Sequence, residues 1–266
     1  MPSRPIYARL VLLLVASVPA SADIVFTDNT FSPSNYNGFS AIPKLDPGVT
    51  ATYGQCQSCG IDGDTIGGQG LQVFVSIPLT AGGAFVGFVN NTFTYNPQTQ
   101  GAIDSLSASV DKDLILNRST TYFESYFYPL IEQGGKFYIA SIAGSTISRG
   151  TSTGYENIGQ TGMINTNFGL YDFGTTSVPD FTKNPDFSSD GTQMIFGLAP
   201  LVSANDAFNI TVDYDNLVFD IIQGGSPGGT ESPVPESSSL VLLSIFLTGF
   251  VLRGLGPAIR WKLKRH

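Results

Sequence analysis

Apolar and polar residues alternate with a period of two along several stretches of this chain, and that rhythm places strands. It predicts strands over 70–77 and 84–89, and a less regular one over 103–110 with 111–116 after it. The clearest hairpin joins 122–130 to 136–141 through Glu132, Gln133, Gly134 and Gly135. Later strands are predicted over 167–173, 193–198 and 208–221, and no long stretch between the two ends shows helical periodicity. Many short strands joined by Gly and Asn turns, without helical crossovers, argue for antiparallel sheets packed face to face. The expected fold class is all-β, a two-sheet β-sandwich.

Composition agrees with that pattern. The chain has 266 residues, enough for one sandwich with signals or for two small domains. It carries 30 Gly, 16 Pro, 19 Phe and 11 Tyr, and only 13% of its residues are charged. Aromatic and β-branched side chains suit a pleated, half-buried surface, and Gly, Asn and Pro punctuate it.

Charge is segregated along the chain. Between residues 23 and 230 stand 19 acidic and six basic side chains, a net of −13, while the other seven basic residues sit at the two ends. An acidic body repels phosphate backbones, which argues against nucleic acid as a partner. The basic ends have the form of membrane topology signals.

Residues 1–22 read as a secretory signal peptide: Arg4 and Arg9 in front, an apolar core over 10–15, and a small-residue cleavage site at Ala20, Ser21 and Ala22. The mature chain is expected to begin at Asp23, with an ectodomain over 23–222. Residues 223–239 are a flexible Gly/Ser/Pro linker containing Val234, Pro235 and Glu236. Residues 240–259 can span a bilayer as a helix if Arg253 snorkels toward the interface, and the basic tail 260–266 stays cytoplasmic. A hydrophobic tail that ends in a basic cluster does not fit a GPI signal.

Val234, Pro235 and Glu236, then small polar residues, a short apolar span and an Arg/Lys-rich end resemble the PEP-CTERM sorting signal of Gram-negative bacteria. The departure is Ser237, where Pro-Glu-Pro is typical. The resemblance implies an exosortase-type membrane protease as processing partner, transient anchoring in the inner membrane, and delivery to the cell envelope, outer surface or extracellular matrix. It also implies a host that makes an exopolysaccharide and builds a biofilm or floc matrix. A plain type I membrane anchor is the alternative reading of the same tail.

The ectodomain's edges carry a second likeness. Its opening over 23–31 and its close over 212–219, with Asp215, Asn216 and Leu217, resemble concanavalin-like and carbohydrate-binding jelly rolls. That likeness implies that the first and last strands pair within one sheet. It also implies a structural calcium near them, for which Asp28 and Asp215 are the candidate ligands; an ordinary solvated acidic turn is the competing reading.

Catalytic chemistry is scarce. The only histidine is His266, so the ectodomain has no His base for a Ser or Cys nucleophile and no His ligand for zinc. Cys56 and Cys59, the two cysteines of an exported chain, are a candidate local disulfide that pins a loop. Asp62 and Asp64 follow without the 12-residue calcium-loop pattern. Glu124, Glu132 and Glu156 are the ectodomain's only glutamates, and Glu124 stands among Tyr122, Phe123, Tyr126 and Phe127. The ectodomain lacks Trp, leaving Tyr for sugar stacking. Asn90, Asn117 and Asn209 match the Asn-x-Ser/Thr pattern at a rate expected by chance in so Ser/Thr-rich a chain.

Three readings follow, in this order. The first is a non-catalytic, glycan-associated protein of the surface or matrix, without catalytic residues. The second is a carbohydrate-active enzyme on a concanavalin-like scaffold, which needs two carboxylates within reach on one sheet face. The third is a self-associating adhesin or structural surface protein, which needs an exposed apolar patch or an open sheet edge.

Overall fold

The computed structural model describes residues 23–37, 42–62, 65–78, 82–116, 123–140, 145–148, 154–174 and 178–224. Ala20, Ala22 and the rest of the signal peptide, the linker beyond residue 224, Val234, Pro235, Glu236, the span 240–259, the tail 260–266 and Asn117 lie outside the described residues. Ser21–Ser226 is one compact unit. In chain order its strands are β1 (Ile24–Asp28), β2 (Ile42–Leu45), β3 (Thr50–Asp62), β4 (Thr65–Ile77), β5 (Gly82–Tyr95) and β6 (Ile103–Leu116). There follow β7 (Phe123–Gln133), β8 (Lys136–Ala140), β9 (Ser145–Ser148), β10 (Glu156–Met163), β11 (Phe168–Tyr171), β12 (Met194–Ala204) and β13 (Phe208–Gln223).

Two antiparallel sheets form the sandwich. The first runs β10-β6-β13-β4-β3, with β1 also on β13; the second runs β11-β8-β7-β12-β5-β2, with β9 also on β7. The first and last strands pair, Ile24 with Ile221 through Asp28 with Leu217. Asn216 sits in the left-handed region (φ 49°), between the β13 segment that pairs with β4 as far as Tyr214 and the one that meets β1 from Leu217. Asn tolerates that conformation better than most residues.

Period-two alternation explains which face of each strand is inside. Leu71, Val73, Val75 and Ile77 of β4, Leu106, Ala108 and Val110 of β6, and Phe219 and Ile221 of β13 are all buried, together with Phe127, Phe196 and Leu198 of the second sheet. Phe219 lies tilted against Phe196 at 5.2 Å and meets Phe93 edge to face at 6.3 Å, which locks the sheets together. Each such ring contributes roughly 2–3 kcal/mol by burial. Lys112, also buried, donates from Nζ to the Ser125 carbonyl of β7 at 3.1 Å, and its burial pulls its pKa down to about 8.

The β7–β8 hairpin forms through Gly134 (φ 59°) and Gly135 (φ 72°), a two-residue turn whose positive angles favour glycine. Residues 103–110 and 111–116 are one continuous strand, β6. The region of Cys56 and Cys59, read from sequence as a loop, is instead part of β3. Its register against β4 shifts between Cys56 and Gly60, and the Cys56–Cys59 disulfide spans that bulge. β13 continues to Gln223, one residue into the expected linker. Gln223 Nε2 donates to the Gln100 carbonyl, and Gly224 N–H to the Ala102 carbonyl, both at 2.8 Å.

Candidate functional site

The outer face of the second sheet is where side chains converge. Strand register sets Lys44, Phe85, Leu201 and Tyr126 side by side across β2, β5, β12 and β7, with Gly83, Ser203 and Glu124 in the next row. The Phe85 ring meets Tyr171 at 5.0 Å and Tyr128 at 5.4 Å, both edge to face, and lies 5.2 Å from Phe173. Leu130, Ile139 and Ala199 complete this second apolar cluster, separate from the core between the sheets.

Above that floor opens a cavity of about 320 Å³, bordered by Lys44, Asp46 and Ser203 on one side and by Pro179 and Phe181 on the other. The segment that supplies Pro179 and Phe181 is laced to β11: Leu170 and Asp180 exchange backbone hydrogen bonds at 3.1 and 2.9 Å, and Asn184 Nδ2 donates to the Phe168 carbonyl at 2.7 Å. Gly169 permits this packing, because a Cβ there would lie 2.8 Å from the Phe181 ring. The Asp180 carboxyl, bonded by Thr182 and by Lys183, titrates at about 2. Opposite, Asp46 Oδ2 accepts from Gly83 N–H at 2.8 Å, which fixes its carboxylate at the rim.

Burial raises the pKa of Tyr126, Tyr128 and Tyr171, the last to about 12, with neighbouring charges adding to the effect. Like any phenol at physiological pH they are neutral, and they can donate as well as accept hydrogen bonds. Phe181 remains 39% exposed at the rim. An aromatic floor with a carboxylate, an ammonium and a hydroxyl around it suits a ligand with an apolar face and polar edges.

The three glutamates do not converge. Glu124 lies on this face, Glu132 is eight residues along the same strand, and Glu156 belongs to β10 of the other sheet. Eight residues of strand span about 27 Å, whereas paired glycosidase carboxylates stand about 5–9.5 Å apart.

Asp28 and Asp215 flank the junction of first and last strands. Asp28 is buried and its carboxylate accepts five hydrogen bonds: from Thr30 N–H, Thr30 Oγ1 and Phe31 N–H at Oδ1, and from Tyr36 Oη and Asn90 Nδ2 at Oδ2. Asn90, 0% exposed, is thus committed inside. Asp215 accepts from Ile61 N–H at 2.5 Å and from Asn216 N–H at 2.7 Å. Burial raises its pKa, with Asp111 and Asp28 adding to the effect. Among the described residues no three His, Cys, Asp or Glu side chains are grouped to hold a metal ion.

Sequence reasoning singled out Asp215 without its neighbours. Register sets Asp213 opposite Asp113 and Asp215 opposite Asp111, four carboxylates on the outer face of the first sheet. Asp213 is pushed up to about 6, chiefly by burial. Tyr155, whose hydroxyl donates to the Cys59 carbonyl, is raised by burial and then by Asp213, Asp215, Asp113 and Asp111. The signal was present: Asp111 and Asp113, like Asp213 and Asp215, are two apart and so share a strand face.

No family model matches the chain, and no curated protein matches it. Among solved structures it is similar to carbohydrate-binding modules. One is the family 11 module of a cellulosomal cellulase of Clostridium thermocellum (11% identity, 79% of this chain and 99% of that one, TM-score 0.38). Another is a module described for mannan recognition (11% identity, 76% and 99%, TM-score 0.36). A third comes from the β-sandwich superfamily of carbohydrate-binding modules (9% identity, 71% of this chain, TM-score 0.37); this chain spans 60% of its length. The likeness is one of fold.

Proposed function

We propose that this chain is an exported protein of the cell surface or extracellular matrix, sorted by an exosortase, whose non-catalytic β-sandwich associates with a glycan. The observation that carries the glycan reading is the cavity over Phe85, Tyr128 and Tyr171, with Lys44, Asp46 and Ser203 at its rim. A pyranose lays its C–H face on aromatic rings and offers its hydroxyls to polar groups at the edge. The host's exopolysaccharide is the ligand this reading assigns.

Export rests on the signal-like residues 1–22 with cleavage before Asp23, and sorting rests on Val234, Pro235 and Glu236 followed by an apolar span and a basic end. The carbohydrate-active enzyme reading is weaker, because the glutamates are split between positions on two sheets and the carboxylates that do face each other, Asp213 and Asp113, are buried. Intact mass and fractionation of the native protein test the proposal. Loss of residues 1–22 and of the tail beyond Glu236, with recovery in the polysaccharide-bearing matrix, is expected. A retained tail in the membrane fraction contradicts the sorting step, and a processed protein free of polysaccharide contradicts the glycan assignment.

A further inference from the structure

We propose that the outer face of the first sheet carries a second glycan-binding groove, so that one sandwich holds two polysaccharide chains on opposite faces. The inference rests on the reading of this chain as glycan-associated, and its evidence comes from the other sheet.

Register across β1, β13, β6 and β10 puts Val25, Asp220 and Ser107 in one row, and Thr27, Val218, Ser109 and Gly159 in the next. Leu106, Ala108 and Val110 of β6 and Phe219 and Ile221 of β13 fill the core, so the intervening Ser107, Ser109, Val218 and Asp220 point outward. Small side chains on the central strands, with β10 brought close by Gly159, leave a groove of about 490 Å³. A Cβ at Gly159 would lie 2.5 Å from the Ala108 carbonyl oxygen, so a larger residue would force β10 away from β6. Asn157, Gln160 and Thr161 form the β10 wall.

The chemistry of this groove differs from that of the aromatic cavity. Among the described residues no ring and no cation lines it; their polar groups are hydroxyls, amides and one carboxylate. Asp220 borders the groove, and its Oδ1 is shielded from solvent and accepts no hydrogen bond from the described residues. The hydroxyls, amides and carboxylate that line this open groove pair with sugar hydroxyls, which donate and accept hydrogen bonds without bringing negative charge against an acidic body. Phosphorylated, sulfated or uronic glycans would meet Asp220 and the adjoining Asp111 with like charge, and among the described residues no Lys or Arg lines the groove to offset it. The ligand class is therefore a neutral polyhydroxylated chain gripped by its edges, while the opposite face takes a chain by stacking. Because the two faces belong to different sheets of the sandwich, occupation of one leaves the other open, and the protein can bridge two strands of a matrix.

Calorimetric titration of the full-length protein with neutral glucan and mannan hexasaccharides tests this. Two equivalents per chain are expected. Asp220→Ala, and separately Thr161→Arg at an exposed wall position, each remove one of them or weaken it at least tenfold. Phe181→Ala removes the other. A single equivalent that Phe181→Ala removes, and that both groove variants keep, overturns the second groove and leaves the glycan reading standing. No binding to any hexasaccharide overturns both. Thermal midpoints of the variants guard the result: Thr161→Arg touches no buried group, so its loss of binding cannot come from unfolding at an unchanged midpoint.

Discussion

Asp213 stands directly opposite Asp113 across the β13–β6 pair, and its carboxyl is buried against Gln72, whose Nε2 donates to Asp213 Oδ1 at 3.0 Å. Like charges facing each other in a sheet are destabilising, and burial adds to the cost. With a folded-state pKa of about 6, the native state holds this proton more tightly than the unfolded chain does. Stability contributed by Asp213 is therefore greatest in acid and falls as pH rises from about 4 to about 6. Asp213→Asn keeps the acceptor for Gln72 and removes the charge. It should raise stability at pH 7.5 by roughly 1 kcal/mol, about 2–4 °C in Tm, with the gain shrinking toward pH 4.5. Thermal melts of both proteins across that range provide the check; an equal gain at both ends would refute the titration account.

Asp28 acts as a hydrogen-bond hub joining β1, the turn after it and Asn90 of β5. Asp28→Ala leaves several buried donors without an acceptor and should cost about 3–5 kcal/mol, read from urea unfolding. The calcium expected from the jelly-roll likeness is tested on the same protein. With five hydrogen bonds already on the Asp28 carboxylate, millimolar calcium or a chelator should leave Tm unchanged. A saturable rise in Tm with calcium, lost in Asp28→Asn and in Asp215→Asn, would establish the ion instead.

The Cys56–Cys59 disulfide closes a ring of four residues at a bulge of β3. Loop-closure entropy for so short a ring is about 2 kcal/mol at most. Cys56→Ser with Cys59→Ser should lower Tm by a few degrees and leave the fold intact by circular dichroism. Loss of cooperative unfolding would show that the bulge organises more of the first sheet than its hydrogen bonds imply.

The aromatic cavity separates binding from stability. Tyr171 is buried against Phe85 and Phe173, so Tyr171→Ala should destabilise by about 3 kcal/mol or more. Phe181 and Lys44 stand at the rim, and their alanine variants should keep Tm within about 2 °C while weakening glycan retention. Melting curves run beside a binding assay distinguish the two classes.

The sandwich was legible where one strand face is buried, because burial imposes alternation. The 70–77 and 208–221 runs announced β4 and β13, and Gly134 with Gly135 announced the β7–β8 turn. β3 escaped, since Gly54, Gln55, Gln57 and Ser58 give an edge strand no apolar rhythm and the bulge breaks its period. β10 escaped for a like reason, with Ile158 and Met163 its buried residues. The site was harder to read. Phe85, Tyr128 and Tyr171 look like core residues in sequence, and only the register of five strands and the return of the segment carrying Phe181 turn them into a cavity.

The most direct test of the central claim is affinity electrophoresis of the full-length protein through gels containing the host's purified exopolysaccharide, beside Phe181→Ala and Lys44→Ala. The account predicts retardation of the wild-type protein that grows with polysaccharide concentration and falls several-fold in both variants. Equal mobility of all three with and without the polysaccharide would contradict glycan association at this face.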